Sequence, residues 1–377
     1  MRKKRILLVT RNLPPLIGGM ERLNWHIADE LSKTHNVTLL SHSEAKKTAP
    51  TDCKFYGVNL NPLPFFLILA FFKTFWICLT QRPDILFAGS GLTAPITVFW
   101  AKFFRKKSMV YIHGLDINNN SYVYKKIWIP FIRSTDSIIC NSTPTKQLAI
   151  NKGICHSKIH IIHPGVSFPP KERNEVLTNT LKDKFILYNK KILLSVGRLT
   201  ERKGLLEFIE NCLPQIVRES PNSVLLIIGD TANNALNNKF QNKEDLLKAA
   251  KKINVEQHII FTGAVDEEAL IQFYYMATIH VFPVKYIPND PEGFGMVALE
   301  AASYGLPTIA FATGGIIDAI KNQESGFLIK SQNYLEFTAC TIQILNNPSI
   351  IQTEPCKNFA KKFAWYNLAE KFKKVLN

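Results

Sequence analysis

The sequence predicts an α/β protein of two doubly wound, Rossmann-like domains facing each other across a cleft. Three observations lead there. Short apolar runs alternate with helix-spaced patterns along the whole chain. The alternation pauses once, at a polar stretch near residue 170, and then resumes. The 377 residues also exceed what one hydrophobic core usually organises.

The elements follow in order. RILLVT, NVTLLS, DILFAG, SMVYIH, DSIIC and KIHIIH each read as a short buried strand bounded by turns or charge. After the first of them, Met20, Leu23, Ile27 and Leu31 recur at helical spacing. VSFPPKERNEVLTNTLKDKF is polar, holds two prolines and has little strand character, so residues 171–188 are expected to be a linker. From Lys191 the rhythm restarts with KILLSVG, SVLLIIGD, HIIFTG, TIHVFP, LPTIAF and GFLI. The expected domains are therefore 1–170 and 189–357, followed by an amphipathic helix over 358–377.

Composition narrows the class. Hydrophobic residues make up 46% and charged residues 20%, which is ordinary for a globular protein and excludes a disordered chain. Seven scattered cysteines without a C-x-x-C pair fit reduced thiols in a cytoplasm better than a disulfide framework. The basic start MRKKR precedes only five apolar residues before Arg11, too few for a secretion signal, so a cytoplasmic location is expected. Residues 65–79 are apolar except for Lys73, but fall short of the roughly 20 residues a spanning helix needs. They read as a buried or membrane-surface helix. Charge is lopsided: residues 1–180 carry 24 Lys and Arg against 10 Asp and Glu, whereas residues 181–377 carry 22 against 20. The first half is thus expected to face an anionic partner.

Ligands of doubly wound sheets sit where strand ends lead into helices. Three such loops stand out. In RNLPPLIGGMERL, Gly18 and Gly19 allow close backbone approach ahead of a helix N-terminus, although an ordinary turn fits equally well. In SVGRLTERKGLLEF, Arg198 and Lys203 flank a turn at a strand end, where two cations could hold a diphosphate; a solvated basic loop is the alternative. In PEGFGMVALEAASYGLPTIAFATGG, Glu292 lies in a glycine-rich turn with Gly293, Phe294 and Gly295. The amides of Met296, Val297 and Ala298 would face a phosphate there, and Glu300 follows on the helix. A carboxylate that merely complements the helix dipole would explain Glu292 but not its flanking glycines.

The third loop, with E-x7-E from Glu292 to Glu300, resembles the signature of retaining glycosyltransferases of family 4. GRLTERKG is similar to that family's G-R-L-x-x-x-K-G segment, and residues 292–315 to its E-G-F-G, A-x-G-x-P and G-G run. The resemblance extends to the first glycine loop, to His113 with Gly114, to Asn141 with Ser142, and to HPGV at 163–166. It departs at Ser167 and Asp318, where an aspartate and a glutamate are common. The resemblance implies a GT-B fold, with a UDP- or GDP-sugar donor held mainly by the second domain. It also implies a glycan or lipid-linked acceptor bound by the first. Arg198 and Lys203 would hold the diphosphate with Gly19 and the Met296 and Val297 amides, Glu300 the ribose, and Glu292 with Gly293, Phe294 and Gly295 the donor sugar. His113 would lie near the reacting carbon. The last helix would cross back to the first domain.

No cofactor is called for, and with two cations at the diphosphate no metal is either. Cys155, His156, His160 and His163 have metal-like spacing, yet on a strand His160 and His163 point to opposite faces. No G-x-S-x-G elbow supports a serine hydrolase. KFFRKK at 102–107 and YKKIW at 124–128 mix cations with aromatics, but no nucleic-acid module accompanies them. A simple solvated surface accounts for them as well as the other reading, in which an anionic membrane surface or anionic acceptor is the partner and the enzyme is peripheral on the inner membrane face. The alternatives are a phosphorylase or nucleotide-sugar epimerase on the same fold, or a basic binding protein of membrane or nucleic acid that has lost catalysis.

Overall fold

A computed structural model describes residues 3–119, 121–230, 241–350 and 352–376. The chain forms two compact units, residues 1–165 with 365–377, and residues 166–364.

The first unit is built on a seven-stranded parallel sheet. Its strands are β1 (Arg5–Val9), β2 (Asn36–His42), β3 (Lys54–Val58), β4 (Ile85–Ala88), β5 (Lys107–Ile112), β6 (Ser137–Cys140) and β7 (Ile159–Ile161), in the order β3-β2-β1-β4-β5-β6-β7. Six correspond to the expected apolar runs. The edge strand β3, KFYGV, is the addition: it pairs with β2 alone, is only half-buried, and so lacks the apolar run that marks its neighbours. Helix α1 (Gly19–Ser32) covers the sheet with Leu23, Ile27 and Leu31 buried. Helices α2 (Leu63–Gln81) and α3 (Ala94–Phe103) pack together, joined by Phe71 and Phe75 against Trp100.

The second unit holds β8 (Lys191–Val196), β9 (Ser223–Ile228), β10 (Ile259–Gly263), β11 (Ile279–Phe282), β12 (Thr308–Phe311) and β13 (Gly326–Ile329). They are all parallel in the order β10-β9-β8-β11-β12-β13. These are the six expected strands. The sheet order reverses between β8 and β11, the place where doubly wound sheets bind ligands.

Two boundaries differ from expectation. Residues 171–188 are not a bare linker: Glu175–Phe185 form a helix belonging to the second unit. The Asn174 side chain caps it by accepting from the Leu177 amide at 3.0 Å, and Thr178 and Leu181 are buried. The C-terminal stretch is two helices, Thr353–Lys361 and Leu368–Leu376, separated where the chain passes from one unit to the other after Ala364. The last helix buries Phe372 against Phe87 of β4, and Trp365 stacks on His26 of α1 at 4.1 Å. Among the described residues no group of three His, Cys, Asp or Glu is placed to hold a metal; His163 instead contacts the Asn141 carbonyl through Nδ1 at 3.0 Å.

Candidate active site

The loop after β8 and the loop after β11 flank the switch point of the second sheet, and topology therefore brings Lys203 and Glu292 together. Lys203 Nζ donates to Glu292 Oε2 at 3.0 Å, and Arg202 Nη1 reaches the same oxygen at 3.1 Å. All three side chains are 13–16% exposed. Lys203 also lies 4.5 Å from the centre of the Phe282 ring at the end of β11, a cation–π contact. Burial pushes the Glu292 carboxyl up, but the charges of Arg202 and Lys203, the Lys203 hydrogen bond and the Arg198 charge outweigh it, holding the group at about 2. Burial pulls Lys203 below the usual lysine range, with Arg202 and Arg198 adding to that and Glu292 opposing it.

Arg202 was not among the residues singled out in the sequence. It does more than pair with Glu292: Nη1 donates to the Pro291 carbonyl at 3.2 Å, and Nε lies 3.7 Å from Asp290 Oδ1. Its own carbonyl accepts from the Lys285 amide at 3.0 Å. One guanidinium thus ties the β8 loop to three consecutive residues of the β11 loop. The sequence signal was the adjacent pair Arg202-Lys203, but a pair of cations in a loop does not say which one turns inward. Arg198, by contrast, is exposed and makes no hydrogen bond or ion pair among the described residues.

The glycines around Glu292 have a backbone explanation. The Gly315 amide donates to the Glu292 carbonyl at 2.8 Å, drawing the turn after β12 against the Pro-Glu-Gly turn. A Cβ on Gly314 would collide with the Glu292 backbone, and one on Gly315 with the Gly293 carbonyl. Side-chain-free residues are what let the two loops touch. The chain then leaves Gly295 at φ 91° and enters the helix Met296–Ser303. The Ala298 amide, expected to face a ligand, donates instead to the Gly295 carbonyl at 3.0 Å, which leaves Met296 and Val297 as the helix's open amides among the described residues. Phe294 is buried in the apolar cluster beneath the turn and anchors it. Glu300, one turn into the helix, accepts from the Tyr274 hydroxyl at 3.1 Å, and Tyr274 is stacked on Tyr304.

In the first unit the corresponding loops follow β1, β4 and β5. His113 is buried, and its Nε2 lies 3.1 Å from the Gly89 carbonyl just beyond β4. A carbonyl only accepts, so Nε2 donates in this contact. The His113 amide donates to Asp116 Oδ2 at 3.1 Å, fixing the turn that presents the ring. In the β1 loop, Gly18 leaves space that the buried Glu21 carboxylate fills, and Glu21 accepts from Asn12 Nδ2 at 2.7 Å. Gly18 is therefore needed for packing, while Gly19 is exposed as the first residue of α1. Arg11 in the same loop has its Nε buried without a partner.

The family model described as Glycosyltransferase Family 4 matches residues 17–168, and that described as Glycosyl transferases group 1 matches residues 178–363. An uncharacterized glycosyltransferase of Haemophilus influenzae is 22% identical over 368 residues, covering 95% of this chain and 96% of that protein. A GDP-mannose-dependent alpha-(1-6)-phosphatidylinositol monomannoside mannosyltransferase of Mycolicibacterium smegmatis is 22% identical, covering 91% of this chain and 90% of its own. Among solved structures, Anabaena HepE in complex with UDP superposes with a TM-score of 0.79 at 16% identity, covering 99% of each chain. That likeness establishes the two-Rossmann, GT-B type of fold.

Proposed function

We infer that this chain, a member of glycosyltransferase family 4 that acts on a nucleotide-sugar donor, transfers the sugar with retention of anomeric configuration to a hydroxyl of a lipid-linked or envelope glycan. The observation that carries the reading is the Arg202–Lys203–Glu292 cluster at the switch point, beside the open amides of Met296 and Val297. A departing nucleoside diphosphate gains negative charge as its bond to the anomeric carbon breaks. Arg198, Lys203 and the two amides answer that charge. The cations and amides supply the neutralisation that a divalent metal would otherwise give, so transfer is proposed to be metal-independent.

Lys203 is held by Glu292 in the free protein and turns part of its charge to the diphosphate when donor binds. Glu292, with Gly293, Phe294 and Gly295, then serves the donor sugar, and Glu300, oriented by Tyr274, accepts from the ribose hydroxyls. The Gly19 amide adds to the phosphate contacts. His113 is assigned to the transferring sugar. The incoming hydroxyl bonds to the anomeric carbon on the face that the diphosphate leaves, and its proton passes to the departing diphosphate oxygen. The Mycolicibacterium relative's GDP-mannose and the UDP of the Anabaena complex support a guanosine or uridine diphosphate donor. The phosphatidylinositol substrate in the former's name, and the positive charge of the first half, support an acceptor at an anionic membrane face reached from the cytoplasm.

The test is a panel of UDP- and GDP-sugars read by thermal shift and by transfer, with wild type and Arg198→Ala. A charge-assisted hydrogen bond contributes about 1.5–3 kcal/mol, so the variant should bind its donor more than tenfold more weakly. EDTA should leave transfer unchanged. Wild-type kinetics in Arg198→Ala across the panel would overturn the diphosphate assignment.

A further inference from the structure

The helix α2 has two opposed faces. Phe66, Ala70, Thr74, Ile77 and Cys78 are buried, and Leu7, Val9, Leu40 and Leu86 of the sheet belong to the same apolar cluster. On the other side Phe65, Ile68, Phe72, Trp76 and Leu79, spaced three and four residues apart, form one exposed apolar stripe. The stripe continues onto α3, where Phe99 and Phe103 are exposed. It continues again onto the segment 122–133 that also packs on α3, a π-helix Tyr124–Trp128 leading into Ile129–Arg133, with Tyr122 and Val123 ahead of it and Ile127 within it exposed. Ten of the nineteen exposed large apolar side chains among the described residues sit on these three neighbouring elements. Scattered exposed apolar residues are normal; a contiguous set of this kind is a docking surface.

Charge identifies the occupant. Residues 63–133 contain nine Lys and Arg against two Asp. Both acids already hold a partner within the chain: Asp84 pairs with Arg5 at 3.1 Å, and Asp116 accepts from the His113 amide. Lys102, Arg105, Lys125 and Lys126 are exposed around the apolar residues. We propose that the outer face of α2, α3 and residues 122–133 docks on an anionic lipid bilayer, with α2 lying in the plane of the interface. At 19 residues α2 is roughly 28 Å long, enough to cross a bilayer by length alone. Its buried face excludes that: spanning would strip Phe66 and Ile77 from the sheet. The inference rests on the proposed acceptor only for its purpose, since vesicle binding is measured without donor or acceptor.

The full chain is sedimented with vesicles of equimolar phosphatidylglycerol and phosphatidylcholine, and with pure phosphatidylcholine, at low and high salt. Wild type should bind the anionic vesicles at low salt, with a blue shift of tryptophan emission that Trp76→Phe reduces. Each juxtamembrane cation is worth roughly fivefold in partition. The combined Lys102→Ser, Arg105→Ser, Lys125→Ser and Lys126→Ser variant should therefore lose more than tenfold. Phe72→Ser with Phe103→Ser should also release the protein, while its thermal unfolding shows it folded. Wild type that stays in the supernatant at low salt would overturn the proposal, as would binding that neither variant weakens. A wild type that self-associates without vesicles, and is made monomeric by the apolar variant, would assign the face to a second copy of the chain. None of these outcomes alters donor binding, which the thermal-shift panel reads separately.

Discussion

Replacing Glu292 by Gln removes the negative charge that Arg202 and Lys203 share through contacts of 3.1 and 3.0 Å. At an effective dielectric of about 20 each contact gives roughly 5 kcal/mol of attraction before desolvation is counted. After desolvation, deleting one partner of a buried pair typically costs about 3–5 kcal/mol, because the remaining charges stay buried without compensation. For a unit of this size that corresponds to a fall in Tm of roughly 6–20 °C. Calorimetry is the assay, because all five tryptophans lie in the first unit and their fluorescence does not watch the second. A nucleoside diphosphate brings negative charge to the cations Glu292 has released. Added at about 100 times its Kd it contributes roughly 2.7 kcal/mol in wild type, and should do at least as much in Glu292→Gln. Sugar transfer should nonetheless fall sharply, since the contact to the donor sugar is gone. A variant that melts with wild type and transfers normally would refute both the buried ion-pair cluster and the sugar contact. One that binds the bare diphosphate far more weakly would refute the division of labour between Glu292 and its cations.

Three further outcomes follow from the geometry. Glu300→Ala should weaken binding of the bare nucleotide and of the sugar nucleotide alike, with Tyr274→Phe milder in the same direction; calorimetric titration with both ligands checks it. Gly315→Ala places a Cβ on the Gly293 carbonyl and should destabilise the second unit by about 1–3 kcal/mol, read from denaturant midpoints. His280 is fully buried, and its burial, with the Lys203 charge adding, lowers it to about 3. In the folded protein it therefore binds fewer protons than when unfolded, so its contribution is intact above roughly pH 6.5 and declines as pH falls toward 3, by about 1.4 kcal/mol per pH unit. His280→Asn should flatten that limb of a stability–pH series.

Much of the fold could be read from the sequence because buried parallel strands are continuous apolar runs, as KILLSV and SVLLII are. KFYGV escaped because an edge strand needs only one bonded neighbour and little burial. The helix Glu175–Phe185 escaped because the two prolines ahead of it and its own charges looked like a linker, although Asn174 and the Leu177–Leu181 spacing were both present. At the candidate site the motif positions named Lys203 and Glu292 but not their contact, nor the part of Arg202. Those depend on two loops meeting at a sheet reversal, with Lys203 and Glu292 89 residues apart in the chain, which no local pattern encodes. The apolar stretch 65–79 posed a choice between core and membrane surface, and α2 has one face toward the core and the other exposed.

The return of the chain to the first unit after Ala364 has a consequence for synthesis. Every strand of the first sheet is synthesised before the second unit begins, yet Trp365 and Phe372, which cover His26 and Phe87, are made only after the whole second unit. The nascent first unit must therefore wait, with an apolar surface over Phe87 uncovered, while some two hundred intervening residues emerge and fold as an insertion. Its completion thus follows synthesis of the second unit, and a chain stopped short of Leu368–Leu376 would leave that surface open to chaperones and proteases.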